Sequence, residues 1–185
     1  IVPSGNFGNL TAGFFAKKLG LRVKKFIAAV NINSGVPQYL KNGRLPVKKT
    51  KMTFSNAMDV GNPSNFIRIQ ELYNNDLKAF EKDFSSYSYT DEETLVALKN
   101  IYNTDGYIAE PHGAVGYLGL KKELQKHENA IGIFLETAHP IKFLDVVEPA
   151  LGITLPIPTQ IESVMNKEKV SVKIESYEEL KAFLG

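Results

Sequence analysis

The chain has 185 residues, 43% apolar and 23% charged, enough for one domain or one and a half around a real core. Its 22 basic and 20 acidic residues are scattered and leave a net charge of +2, without the basic stripe that nucleic-acid binding requires. No cysteine is present, which excludes disulfides and thiolate metal sites and fits a reducing, cytoplasmic compartment, and no apolar run approaches the ~20 residues that span a bilayer.

Ile1 and Val2 read as the stub of a buried strand that Pro3 ends, followed by the glycine-rich turn Ser4-Gly5-Asn6-Phe7-Gly8-Asn9. A chain that opens one step before such a turn, without Met, is expected to be a piece of a longer protein. Residues 9–19 carry Leu10, Phe14, Ala16 and Leu19 and predict a helix with Gly20 as its cap. VKKFIAAV at 23–30 predicts a buried strand. Val36 to Leu40 predicts a short helix closed by Asn42-Gly43, and 44–65, with Pro46, Gly61 and Pro63, reads as loop. Helices are expected at 66–73 and 76–84. Thr90 to Glu93 forms a capping box ahead of TLVALKNIY, and Gly106 ends that helix. A short strand is expected at 107–109, a helix from Pro111 to about Gln125, and a strong apolar strand at 130–135. Pro140 opens another helix ending near Gly152, and Pro156 and Pro158 mark a linker. A helix near 159–166, a strand at 170–174 and a last helix capped by Ser176 with Glu179 complete the chain. Apolar strands alternating with helices predict an α/β fold with a parallel sheet covered on both faces.

Strand, glycine-rich turn and helix is the order in which α/β proteins build phosphate sites. Gly5 and Gly8 read as positions of positive φ and close ligand approach. Successive amide N–H groups form an anion nest, and the following helix adds about half a positive charge. A plain strand-to-helix turn explains the glycines equally well. The loop is neither a Walker loop nor a full dinucleotide fingerprint. The three histidines, at 112, 127 and 139, have no i, i+4 pair and argue against a metal site.

Val2 to Asn9 closely resembles the phosphate loop of threonine synthases, a family of fold-type II pyridoxal-phosphate enzymes. Three further stretches match in the family's order: Ser55-Asn56-Ala57-Met58-Asp59-Val60, Glu110-Pro111-His112-Gly113-Ala114, and Thr137-Ala138-His139-Pro140 with Lys142-Phe143. Val36 to Leu40 also fits. The resemblance covers most of 1–150.

The resemblance implies the parallel-sheet, three-layer α/β fold of the tryptophan synthase β type, present in part. Residues 1–152 would form the C-terminal part of the large cofactor domain, and 153–185 a helix-strand-helix tail packing on it. It implies pyridoxal 5'-phosphate held through Gly5, Asn6, Phe7, Gly8 and Asn9, with Thr137 on the pyridine nitrogen and Glu110 near the ring. Ser55, Asn56 and Asp59 would bind the substrate, O-phospho-L-homoserine. On their own, Glu110 and His112 read as a capping acid and a satisfied histidine, and His139 has the same standing. The Schiff-base lysine is expected upstream of the loop, so no catalytic residue is assigned in this chain. Lys82-Asp83-Phe84 imitates the family's lysine motif but follows the loop and sits among charges. The implied function is part of a threonine synthase, converting O-phospho-L-homoserine and water to L-threonine and phosphate. The fragment alone is expected to be inactive, to lack its N-terminal part as partner, and to dimerise through an exposed edge. Another fold-type II enzyme (threonine dehydratase or cysteate synthase) or a non-catalytic phosphate-binding module are the alternatives.

Overall fold

A computed structural model describes residues 1–46, 49–165 and 167–185. Two compact units emerge, Ile1–Thr154 and Leu155–Gly185. The first is built on a parallel sheet of β1 (Val2–Pro3), β2 (Phe26–Val30) and β3 (Phe84–Ser88), in the order β1-β2-β3. Val2 sits opposite Ala28, and β2 pairs with β3 from Phe26↔Phe84 to Val30↔Ser88.

The period of two along β2 sends its side chains to two different cores. Ala28 and Val30, with Val2 and Phe84, face α1 (Gly8–Lys18), α2 (Gly35–Asn42), α3 (Phe66–Leu72) and α4 (Leu77–Asp83). Aromatic rings fill this side. Phe14 of α1 is fully buried and lies 4.9 Å from Phe26 and 5.6 Å from Tyr73, and Phe80 stacks on Phe84 at 4.5 Å. Truncating such a ring to alanine costs about 3–5 kcal/mol. Ala29 points the other way, onto Val115 of α6 (Pro111–Leu124) and Met58. Behind α6 lies α5 (Asp91–Asp105), whose Ala97, Leu98 and Ile101 pack with Ala114 and with Val146 of α7 (Leu144–Leu151). The result is the three-layer α/β arrangement expected from the alternation of elements.

Local chemistry sets most boundaries. Thr90 and Glu93 close a reciprocal capping box on α5, and Gly106, at φ 65°, ends that helix in the left-handed region. Gly43 and Gly152 end α2 and α7 the same way. Asp76 caps α4 by accepting from the Ala79 amide.

Four expectations are corrected. The expected helix at 76–84 stops at Asp83, and the chain continues as β3 with FSSYS, a strand that polar Ser and Tyr residues disguise. Residues 107–109 form no strand and lead straight into the Glu110 cap of α6. Residues 130–135 run beside β1 but form no regular ladder. Ile1 donates to the Ile133 carbonyl and accepts from the Leu135 amide at 3.1 Å, and a two-residue strand offers no more. In the second unit, α8 (Thr159–Met165) and α9 (Tyr177–Leu184) form, with Ser176 accepting from the Glu179 amide at 3.2 Å. The strand expected at 170–174 is absent, because those residues have no ladder partner among the described residues. The expected helix at 159–166 ends in a residue, Asn166, outside the described ones.

Candidate active site

The carboxyl end of β1 faces a cavity of about 610 Å³. Pro3 to Asn9 form one wall, Asn56, Ala57, Met58 and His112 a second, and Thr137, Ala138, Lys142 and Phe143 a third. Open parallel sheets bind ligands at this end.

The loop wall is built by an unusual backbone. Phe7 is left-handed, at φ 62°, although it is not glycine. Such a conformation costs of order 1–3 kcal/mol for an ordinary residue. Burial of its ring offsets this: Phe7 is 4% exposed and lies 5.5 Å from Phe66 and 6.5 Å from Phe84, both edge-on. Its carbonyl accepts from both the amide and the hydroxyl of Thr11, which fastens the turn to α1. Neither Gly5 nor Gly8 has the positive φ that the sequence suggested. Gly5 is needed for space, since a Cβ there would lie 2.6 Å from Met58 Cα and 2.9 Å from the Ala57 carbonyl.

Among the described residues the N–H groups of Gly5 to Asn9 donate no hydrogen bond. Those of Gly8 and Asn9 are orphan donors of the helix start, those of Gly5 to Phe7 belong to the turn before it, and all five residues line the cavity. Two polar side chains beside them are engaged elsewhere. The Ser4 hydroxyl donates to the Val2 carbonyl at 2.9 Å, and Asn6 Oδ1 accepts from both the amide and the hydroxyl of Ser64. What faces the cavity is therefore a row of free backbone amides, a site for an anion.

The remaining candidates divide. Asn56 and Thr137 line the cavity, and no partner holds the Thr137 hydroxyl among the described residues. Ser55 is buried against Asn31 and Thr53. Asp59 accepts from Asn31 Nδ2 at 2.8 Å, Asn33 Nδ2 at 3.2 Å, and the Thr53 hydroxyl and amide at 2.7 and 3.0 Å. These contacts tie down the 53–59 loop, and neither residue lines the cavity. Glu110 is fully buried and caps α6, accepting from the His112 and Gly113 amides, each at 3.0 Å. It too stands behind the wall rather than in it. Lys82 is exposed on α4 and is not a lining residue.

Two residues matter that sequence reasoning left without a role. His112 lines the cavity and packs its ring 5.1 Å from that of Phe143. Lys142 is the one lysine or arginine lining the cavity among the described residues. Its signal was its place in the Thr-Ala-His-Pro stretch, which could have been read as the counter-charge of an anion site. Behind the third wall, Glu136 presses both carboxylate oxygens toward Gly113, and neither has a hydrogen-bond partner among the described residues. Burial, then the nearby Glu110, pushes its pKa up to about 7.

A parallel sheet covered on both faces, with free amides at the carboxyl end of its first strand, defines an α/β protein with an anion site at a helix start. A family model described as threonine synthase, C-terminal, matches residues 113–184. The chain is 46% identical to threonine synthase of Haemophilus influenzae over 99% of its own length and 42% of that protein, and 46% identical to that of Escherichia coli over 86% and 36%. The crystal structure of the Escherichia coli enzyme superposes with a TM-score of 0.88 at 40% identity, covering 99% of this chain and 42% of that one. The PLP-bound threonine synthase of Brucella melitensis superposes at 0.80 with 29% identity, covering 91% and 41%. Sequence and fold thus match the chain to one continuous part of threonine synthase, a fold-type II pyridoxal-phosphate enzyme, and the chain spans about two fifths of the length of these relatives.

Proposed function

We propose that this chain supplies the phosphate-binding half of a threonine synthase active site, acting on O-phospho-L-homoserine and water to give L-threonine and phosphate. In this reading 1–152 belong to the large cofactor domain and 153–185 form its C-terminal tail, in a cytoplasmic enzyme of amino-acid biosynthesis. The observation that carries the reading is the row of unpartnered amides at Gly5 to Asn9, opening into a cavity that Thr137 and Lys142 also line.

The residues fit pyridoxal 5'-phosphate. The amides would take its phosphate, with the start of α1 adding its dipole. The Thr137 hydroxyl would meet the pyridine nitrogen, a milder tuning than a carboxylate gives. The bound cofactor supplies the electron sink for proton transfers next to the substrate's amino group. Asn56 is free to meet substrate. Ser55 and Asp59 act by holding the 53–59 loop in place, and Glu110 by holding the start of α6. Lys142 balances negative charge in the cavity.

Amide shifts under phosphate titration test the site: residues 4–10 should move. Release of phosphate and threonine from O-phospho-L-homoserine, by a protein carrying this segment together with a cofactor-binding lysine, tests the activity. Turnover of threonine or O-phosphoserine instead would favour the dehydratase or cysteate synthase alternatives.

A further inference from the structure

We infer that His112 is a positioning residue: held by Glu110 as the Nδ1–H tautomer, it pins the turn at 56–58 to the start of α6 and so fixes the surface on which Gly5 of the phosphate loop rests. The inference deepens the reading of the cavity given above and rests on it.

The geometry determines the tautomer. The Ala57 amide donates to His112 Nε2 at 3.2 Å. A backbone N–H can only donate, so Nε2 must offer its lone pair. The proton of the neutral ring then lies on Nδ1, which faces Glu110 Oε2 at 2.5 Å. Glu110 is itself immobilised, because its two oxygens also accept from the His112 and Gly113 amides and it is fully buried. The ring is 3% exposed and rests against Phe143. Both ends of the imidazole are thus fixed, one to α6 and one to the Ala57 amide.

Ala57 is where the constraint passes to the loop. Its carbonyl, with Met58 Cα, occupies the space in which a Cβ on Gly5 would sit. Shifting this turn removes the support under Gly5 and lets the amides at 5–9 lose their alignment. Glu110, His112, Ala57 and Gly5 come from three of the four separated motifs, and the contacts join them into one wall.

The test has two independent parts. In a nitrogen-15 spectrum of the chain at neutral pH, His112 should show a pyrrole-type Nδ1 and a pyridine-type Nε2. An Nε2–H tautomer or a charged ring would overturn the inference. Then His112→Phe keeps the ring volume but offers no acceptor, whereas His112→Gln places an oxygen near the Nε2 position. Exchange of the Ala57 amide should quicken at least tenfold in His112→Phe and stay within threefold of the parent in His112→Gln. The dissociation constant for inorganic phosphate should follow the same order, rising several-fold only in His112→Phe. Equal protection of Ala57 in both variants would refute the role. Should His112→Phe fail to fold, the tautomer and the glutamine variant decide. If phosphate moves no amide between 4 and 10 in the parent chain, the cavity reading fails, while the tautomer and exchange results still judge His112.

Discussion

A Cβ on Gly5 would lie 2.6 Å from Met58 Cα, whereas one on Gly8 meets only Asn65 Nδ2 at 3.6 Å. The two loop glycines are therefore unequal. Gly5→Ala forces backbone against backbone and should destabilise the chain by about 1–3 kcal/mol, while Gly8→Ala should stay within about 0.5 kcal/mol. Thermal melts of the two variants check this, and phosphate affinity should fall only with Gly5→Ala. The residue that needs the left-handed region is Phe7, and the sequence conceals this because glycine is the usual sign of it. Lys142 gives a second prediction. Lys142→Met should weaken phosphate binding several-fold in low salt, and the difference should shrink as salt screens the exposed charge. Thr137→Val should leave phosphate binding unchanged, because that hydroxyl is assigned to the pyridine ring. Titrations at two ionic strengths distinguish the roles.

Among the elements, α6 carries the strongest electrostatic contrast. At its C-terminal end Glu123 is buried, which opposes its charge. Hydrogen bonds from Tyr87 and His127 and the charges of Lys25 and Lys126 outweigh that burial and hold its carboxyl below the usual range. Near its start Glu136 faces Gly113 without a hydrogen-bond partner among the described residues and is pushed up to about 7. The folded chain then keeps a proton on Glu136 between about pH 4.5 and 7, where the unfolded chain has lost it. Stability contributed by this group is full below that window and disappears as pH rises through it. Glu136→Gln should flatten this slope and stabilise the chain at pH 8 by about 1 kcal/mol, a figure discounted for the residue's partial exposure. Denaturant melts at pH 5 and pH 8 check it; an unchanged slope would contradict it. What was legible in the sequence follows from how local each signal is. The capping box at Thr90, the glycine stops at 43, 106 and 152, and the Glu110 cap lie within a few residues of the structure they set, and they read correctly. Strand β3 was missed because FSSYS gains its identity from pairing with β2, more than fifty residues away. The strands expected at 130–135 and 170–174 failed for the converse reason: apolar runs predict a wish for burial, not a ladder partner. For the site, the motifs announced which stretches meet, but not that Asp59 and Ser55 would be taken up in holding their own loop.

Across the first unit, the segment 130–135 leaves its apolar residues uncovered. Ile131 is 95% exposed, Ile133 70% and Leu135 45%. With Ile1, Val2, Val23, Phe26 and Ile27 they border a second cavity of about 370 Å³, rimmed by Arg22, Lys24 and Lys25. Each exposed isoleucine forgoes roughly 1.5–3 kcal/mol of burial, and an exposed apolar stretch at the margin of a sheet is a template for pairing. The chain in solution should therefore associate with itself through this edge. Size-exclusion chromatography with light scattering should show mass above 20.5 kDa that increases with protein concentration. The double change Ile131→Lys with Ile133→Lys should return the chain to a monomer, because charges at an edge oppose pairing and both side chains already point into solvent. The same double change should leave the phosphate-induced shifts of residues 4–10 untouched, since neither position lines the cavity at the carboxyl end of β1. A monomer at all concentrations in the parent chain would show that the exposed isoleucines do not drive association. A dimer that survives both lysines would place the contact on another face.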